Sequence, residues 1–358
     1  MKDIHDQIAA LDRQGMGAAI KDCPRQIDHI LETYAQWPPS GPAPPPEQVL
    51  FLGMGGSAIG GDMVRVWVER LADTPMTVVR GYDVPGWTGP GTLVIGSSYS
   101  GETEETLSAV RQAARRGSRI VVVASGGELL SLAETEGWGV LPLSEGLQPR
   151  AAIGYSLAAV TRVLVAHEVL PLAALDELAA GSRLMAEEGR HWSDPDEERN
   201  EPRRVAELIG DRLPVIYGCV GTTEALAVRL RSQLAENSEM LASHHLLPEQ
   251  NHNEIVGLAE RVKERGDLLV IWLSDADDHP RMKQRRTLAS RLVGAPLGAD
   301  AVRPWEVTLA GRGESLIQRN LSLLHQIDWL SYYAALAHGR NPSAIDILTE
   351  LKKQLHGT

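Results

Sequence analysis

Short apolar runs alternate with amphipathic stretches of helical period along most of the chain. Residues 49–53, 76–80, 92–96 and 119–124 read as buried strands, and the segments between them carry apolar positions three and four apart. A strand that is apolar throughout is covered on both faces, so the alternation predicts an α/β fold with a mainly parallel sheet flanked by helices. Helical periodicity also runs through residues 3–37, about 153–189 and about 314–355, the last interrupted near Gly339-Arg-Asn-Pro.

The interruptions divide the chain. Proline removes a backbone donor and restricts the residue before it, so Pro38-Pro-Ser-Gly-Pro-Ala-Pro-Pro-Pro-Glu ends the first helical stretch as a linker. The polar segment His191-Trp-Ser-Asp-Pro-Asp-Glu-Glu-Arg-Asn-Glu-Pro marks a second boundary. The expected units are an N-terminal helical segment and linker (1–45), a first α/β domain (46–190), a second (191–312) and C-terminal helices packing back on the core (313–358). Val49-Leu-Phe-Leu-Gly-Met-Gly-Gly-Ser and Leu213-Pro-Val-Ile-Tyr-Gly-Cys-Val-Gly-Thr share the order strand, glycine turn, small hydroxyl residue, helix, the mark of an internal duplication.

Length agrees with two units: 358 residues exceed the roughly 250–300 at which one core divides, so two cores are expected. The net charge of -12 disfavours nucleic acid and anionic membrane as partners, since both need a basic surface. Aromatic content of 4% with a single phenylalanine leaves little for stacking bases. No apolar run approaches the roughly 20 residues that span a bilayer, and the polar opening is unlike a signal peptide, so a cytoplasmic protein is expected. Cys23 and Cys219 make no CxxC spacing and read as buried small residues. A small-molecule ligand, held locally, fits this balance.

Two loops are suited to phosphate. Gly53-Met-Gly-Gly-Ser-Ala-Ile-Gly-Gly follows a strand and opens a helix, which aims backbone N–H groups and the positive end of the helix dipole at an anion. It departs from the dinucleotide fingerprint, and no acidic residue closes a following strand about 20 positions on. Gly96-Ser-Ser-Tyr-Ser-Gly-Glu-Thr-Glu-Glu-Thr ends the next strand but one and opens another helix, with Ser98, Ser100 and Thr103 as hydroxyl donors. The competing reading is that Ser100, followed by Glu102 and Thr103, merely caps this helix, since Ser and Thr are preferred caps. In the second copy Ser274-Asp-Ala-Asp-Asp replaces the hydroxyl-rich loop, so one half is built for phosphate.

Candidate acid–base groups follow. Glu236 lies in a helical stretch and His252 in a loop flanked by Asn251 and Asn253, a carboxylate and an imidazole suited to proton transfer near neutral pH. A solvated helix face and a hydrogen-bonded turn are the structural alternatives. His244, His245, Glu249, His252 and Glu254 contain ligand types, but no helical HxxxH or HExxH spacing, so no metal site is expected.

Taken in order, Gly53-Met-Gly-Gly-Ser, Ser98-Tyr-Ser-Gly-Glu-Thr-Glu-Glu-Thr, Pro149-Arg-Ala-Ala-Ile-Gly-Tyr, Leu247-Pro-Glu-Gln-Asn-His-Asn-Glu-Ile-Val-Gly and the tail from Pro342 to Leu355 resemble the bifunctional phosphoglucose/phosphomannose isomerase family. The resemblance covers most of the chain and implies two sugar-isomerase (SIS) domains. It implies that Ser57, Ser98, Ser100 and Thr103, with the N–H groups of Gly55 and Gly56, hold a sugar phosphate. Glu236 would be the base of a cis-enediol aldose–ketose isomerisation, and Arg150 would stabilise the enediolate. His252 and Lys352 would open the sugar ring. No cofactor is implied, and a homodimer is, with His252 supplied across the interface.

Two positions are read as departures from the family motif around the base: Ala235 precedes Glu236, and Glu239 brings an acidic group near the place of the family's lysine. A reversed charge there is expected to alter the base or the affinity for substrate. The alternative function is a non-catalytic phosphosugar-binding regulator, which would keep the serine loops and need no base. A metal-dependent isomerase or hydrolase and an amidotransferase-type synthase fit less well, the second because Cys23 is not an N-terminal nucleophile.

Overall fold

A computed structural model describes residues 4–37, 44–295 and 305–356. Residues 38–43 of the proline-rich linker lie outside the described residues. The first sheet contains β1 (Gln48–Gly53), β2 (Met76–Val79), β3 (Thr92–Ser97), β4 (Arg119–Ala124) and β5 (Gly139–Pro142), all parallel, in the order β2-β1-β3-β4-β5. The second contains β6 (Leu213–Cys219), β7 (Ser243–Leu247), β8 (Leu268–Ser274) and β9 (Glu306–Ala310), also parallel, in the order β7-β6-β8-β9. The second sheet repeats the first without its last strand, as the internal duplication predicts.

The central strands are buried on both faces, and neighbouring residues serve different cores because side chains alternate. Phe51 and Ile95 point to one side, Leu50 and Val94 to the other. The inner sides of the two sheets do not form separate cores, contrary to the expectation from length. One apolar cluster runs from Phe51 and Ile95 through Leu323 and Leu330 to Ile216 and Ile271. The helix Leu316–Ala337 is the reason: it is buried along almost its whole length and packs against both domains. Smaller clusters fill the outer faces, around Val110 and Leu129 in the first domain and Trp272 and Val293 in the second.

Polar ties cross the same boundary. Trp67 Nε1 donates to Asn320 Oδ1 at 3.0 Å, and Arg65 pairs with Glu224. The Leu316–Ala337 helix also reaches the N-terminal helices, where the Tyr332 hydroxyl donates to Asp12 at 3.1 Å. Those helices are three, Ile4–Leu11, Met16–Lys21 and Cys23–Thr33, rather than one continuous stretch. The helical stretch after β5 is likewise two, Ile153–Ala166 and Ala173–Trp192.

Candidate active site

The two loops singled out by sequence leave neighbouring strands side by side. Gly53 is paired with Ser97 at the C-terminal ends of β1 and β3. There the strand order reverses direction, and open parallel sheets bind ligands outside that point. The helices Gly55–Leu71 and Glu104–Arg115 both begin there, and neither has a side chain capping its first N–H groups. Their donors and dipoles face the crevice.

Glycine is required by the packing. A Cβ on Gly56 would stand 2.9 Å from the carbonyl oxygen of Pro149, so its absence lets the helix N-terminus press against the 3-10 turn Pro149–Ala151. Gly101 has φ of 72°, and a Cβ there would meet the Gly126 carbonyl oxygen at 1.8 Å. These contacts hold the glycine loop against Arg150 and the serine loop against the chain after β4.

The hydroxyls are organised around Tyr99. Ser57 Oγ accepts from the Tyr99 N–H at 3.3 Å, and Ser98 Oγ lies 2.8 Å from Thr103 Oγ1 while accepting from the Gly101 N–H at 3.1 Å. Ser100 is exposed and accepts from the Glu102 N–H at 3.3 Å. It is not the helix cap. That position belongs to Thr103, whose hydroxyl turns to Ser98 and leaves the helix donors free.

A cavity of about 220 Å³ joins the glycine loop to the second domain, with Gly55, Gly56, Arg150 and Glu236 on its wall. Arg150 is buried, with Nη1 3.6 Å from Glu236 Oε2, Nε donating to Asn237 Oδ1 at 2.7 Å and Nη2 to the Pro342 carbonyl at 2.9 Å. Burial pulls its guanidinium below the usual arginine range; Glu236 opposes that shift and Arg229 adds to it. Arg150 still stays cationic near neutral pH. Glu236 is partly open to the cavity, so a mobile ligand can reach its carboxylate.

Of the sequence candidates, Gly55, Gly56, Arg150 and Glu236 line this cavity, whereas Ser57, Ser98, Ser100, Thr103 and His252 do not. His252 ends the 3-10 turn Glu249–His252, is exposed, and is absent from the cavity wall. Lys352 lies on the helix Asp346–His356, but its side chain is outside the described residues. Ala235 and Glu239 are exposed and also off the wall. Glu239 pairs with Arg340 at 3.2 Å, so the reversed charge is answered by a neighbouring cation and does not face the Glu236 carboxylate in the cavity.

The cavity adds residues that sequence reasoning missed: Arg80, Arg229, Arg231, Ser232 and Gln233. The last four precede Glu236 on the helix Glu224–Asn237, and Arg229, Ser232 and Gln233 have the three- and four-residue spacing that puts them on its face. That signal was available. Arg80, just beyond β2, carries none in sequence and is held by Asp62.

The corresponding crevice of the second domain contains its own polar groups. Thr222 Oγ1 donates to Asp278 Oδ1 at 2.6 Å, and buried Asp275 accepts from Arg319 Nη2 at 2.9 Å. These carboxylates engage the Thr222 hydroxyl and the Arg319 guanidinium that could otherwise take an anion, whereas the crevice of the first domain has hydroxyls and free helix donors.

The chain matches a family model for the bacterial phospho-glucose isomerase C-terminal SIS domain over residues 198–355 and one for the SIS domain over residues 45–131. It is 33% identical to the bifunctional phosphoglucose/phosphomannose isomerase of Caldicellulosiruptor bescii, over 95% of this chain and 98% of that protein. It is 31% identical to the Aquifex aeolicus protein of the same name, over 87% of this chain and 91% of that one. The crystal structure of a glucose-6-phosphate isomerase like protein from Thermus thermophilus shares the fold, with a TM-score of 0.60 at 19% identity over 97% of this chain and 100% of that one. The identity, nearly full-length in both chains, settles the lineage that the motifs indicated: this chain belongs to the bifunctional phosphoglucose/phosphomannose isomerase family.

Proposed function

We propose that this protein interconverts glucose 6-phosphate, and mannose 6-phosphate, with fructose 6-phosphate through a cis-enediol. The observation that carries the proposal is the joining of an anion cradle and a base in one place. Gly55 and Gly56, at the mouth of an uncapped helix, share a cavity with Arg150 and Glu236, whose charged atoms stand 3.6 Å apart.

The phosphate is held by the Gly55 and Gly56 N–H groups with Ser57, Ser98, Ser100 and Thr103. Glu236 takes the proton from C2 of the open-chain aldose, and the released electron pair forms the C1–C2 double bond as the C1 carbonyl becomes an enediolate oxygen. Arg150, itself buried, stabilises that oxygen. Return of the proton to C1, with the O2 proton passing to O1, gives the ketose. C2 is planar in the enediol, so glucose and mannose epimers share the intermediate. Lys352 and His252 of the partner subunit open the ring. The exposure of His252, with Val256 also exposed one turn later, supports a second copy seated on this surface.

The test is a coupled assay of wild type and Glu236→Gln on both aldose phosphates, with and without EDTA. Turnover of both by wild type despite EDTA, and a loss of about 10²–10⁴-fold in the variant, is the expected result. Saturable phosphosugar binding without turnover would sink the isomerase in favour of a regulator. For the dimer, mixing inactive Glu236→Gln and His252→Ala chains should restore activity, because mixed dimers hold one intact site. Failure of a demonstrably mixed dimer to recover activity overturns the exchange of His252.

A further inference from the structure

Arg150 can act on a developing oxygen only if a donor faces the cavity, and the neighbours of its guanidinium decide which donor that is. Nε is taken by Asn237 Oδ1 at 2.7 Å and Nη2 by the Pro342 carbonyl at 2.9 Å, which leaves Nη1 on the side of Glu236. A guanidinium is planar and rigid, so fixing two nitrogens fixes the third.

Asn237 can hold Nε only with its amide oxygen turned toward Arg150, and the surroundings set that orientation. Its Nδ2 lies 2.9 Å from Ser331 Oγ, and the Ser331 hydroxyl donates its single hydrogen to the Asp328 carbonyl at 2.8 Å. Ser331 is therefore an acceptor toward Asn237, Nδ2 must face it, and Oδ1 must face Arg150. Donation runs one way, from Arg150 to Asn237 to Ser331 to Asp328, and such chains polarise each bond in the same sense. Asn237 and Ser331 are both 0% exposed, so water does not compete. Arg229 grips the Asp328 carboxylate at 2.8 and 2.6 Å and donates to the Arg150 carbonyl at 3.1 Å, tying the two ends of the relay together.

We infer that Asn237 is a positioning residue for the isomerisation, acting through Arg150, with Ser331 setting the orientation of its amide. This rests on the roles proposed above for Arg150 and Glu236.

The test is a mutant cycle read in kcat and KM for glucose 6-phosphate: wild type, Asn237→Ala, Ser331→Ala, Arg150→Ala and the double variants with Arg150→Ala. The expected result is a fall in kcat of about tenfold or more for Asn237→Ala and a smaller fall for Ser331→Ala, with KM changed by less than about threefold. In the Arg150→Ala background both effects on kcat should vanish. Equal losses of kcat with and without Arg150 overturn the inference, because a merely structural role would be additive. If Asn237→Ala fails to fold, the Ser331→Ala cycle decides alone. No turnover by wild type, or full turnover by Arg150→Ala, would overturn the underlying reading; a slow Arg150→Ala beside fully active Asn237 and Ser331 variants overturns only this inference.

Discussion

The Tyr99 hydroxyl accepts the Leu147 N–H at 3.0 Å and donates to the Ser144 carbonyl at 2.8 Å. One phenol thus joins the serine loop to the segment that leads into Arg150. Its own N–H donates to Ser57 Oγ, so the glycine loop is tied to the same residue.

Tyr99→Phe keeps the ring in its apolar surroundings and removes both bonds of the hydroxyl. Two groups are left without a partner in a half-buried place, a cost of about 1–3 kcal/mol in stability. Because the loss falls between the phosphate cradle and Arg150, KM for glucose 6-phosphate should rise and kcat should fall together. A steady-state assay beside a urea titration checks this, and a variant less stable but kinetically unchanged would show that the phenol does not couple the two parts.

Gly101 offers a sharper contrast. Gly101→Ala meets both a left-handed backbone and the carbonyl of Gly126, so the serine loop must move, with a loss of about 2–4 kcal/mol and of phosphosugar binding. Gly137 has nearly the same φ, 68°, but open space where a Cβ would go. Gly137→Ala should therefore cost only about 1–2 kcal/mol and leave binding intact. Comparing the two variants by thermal unfolding and by phosphosugar titration separates backbone strain from the clash.

The strands β1, β3 and β4 of the first sheet were readable because they are apolar on both faces and separated by clear helical periods. The strands β5, β7 and β9 were not. Each is a sheet edge only four or five residues long, too short to show a period, and β7 opens on the polar Ser243-His-His as well. The glycine and serine loops were legible because their chemistry is local: a strand end, small residues and a helix start. What joins Arg150 to Asn237, Ser331 and Pro342 was not, since these groups meet across 87 to 192 residues of chain through a core that two domains share. Glu239 stands out in sequence only as an acidic group near the base, and the fold is what shows Arg340 beside it.

Glu239→Lys tests whether that departure matters. The Glu239–Arg340 pair is half-exposed, so breaking it should cost less than about 1 kcal/mol. Glu239 is off the cavity wall, and kcat for both aldose phosphates should stay within about twofold. A tenfold change in kcat would mean that the pair acts on the site through the break that carries Pro342.

The last prediction concerns pH and stability. Glu188, on the helix Ala173–Trp192, is 5% exposed, and burial pushes its carboxyl up to about 7 against the opposing effects of Ser322 and Arg312. Oε1 accepts from Ser322 Oγ at 3.1 Å, Arg312 Nε stands 3.7 Å away, and Oε2 has no partner among the described residues. The group therefore folds more readily protonated than charged. In the unfolded chain it ionises near 4.3. Between that value and about 7 the folded protein holds the extra proton, so the contribution of Glu188 to stability falls as pH rises through this window and levels off above it. Glu188→Gln keeps an acceptor for Ser322 and carries no charge. Relative to wild type it should be nearly neutral at pH 5 and more stable at pH 8, by a few kcal/mol at most. Melting curves of both proteins across that range give the answer: a difference in Tm that grows with pH is expected, and a constant difference would mean that Glu188 ionises in the folded protein much as it does in the unfolded chain.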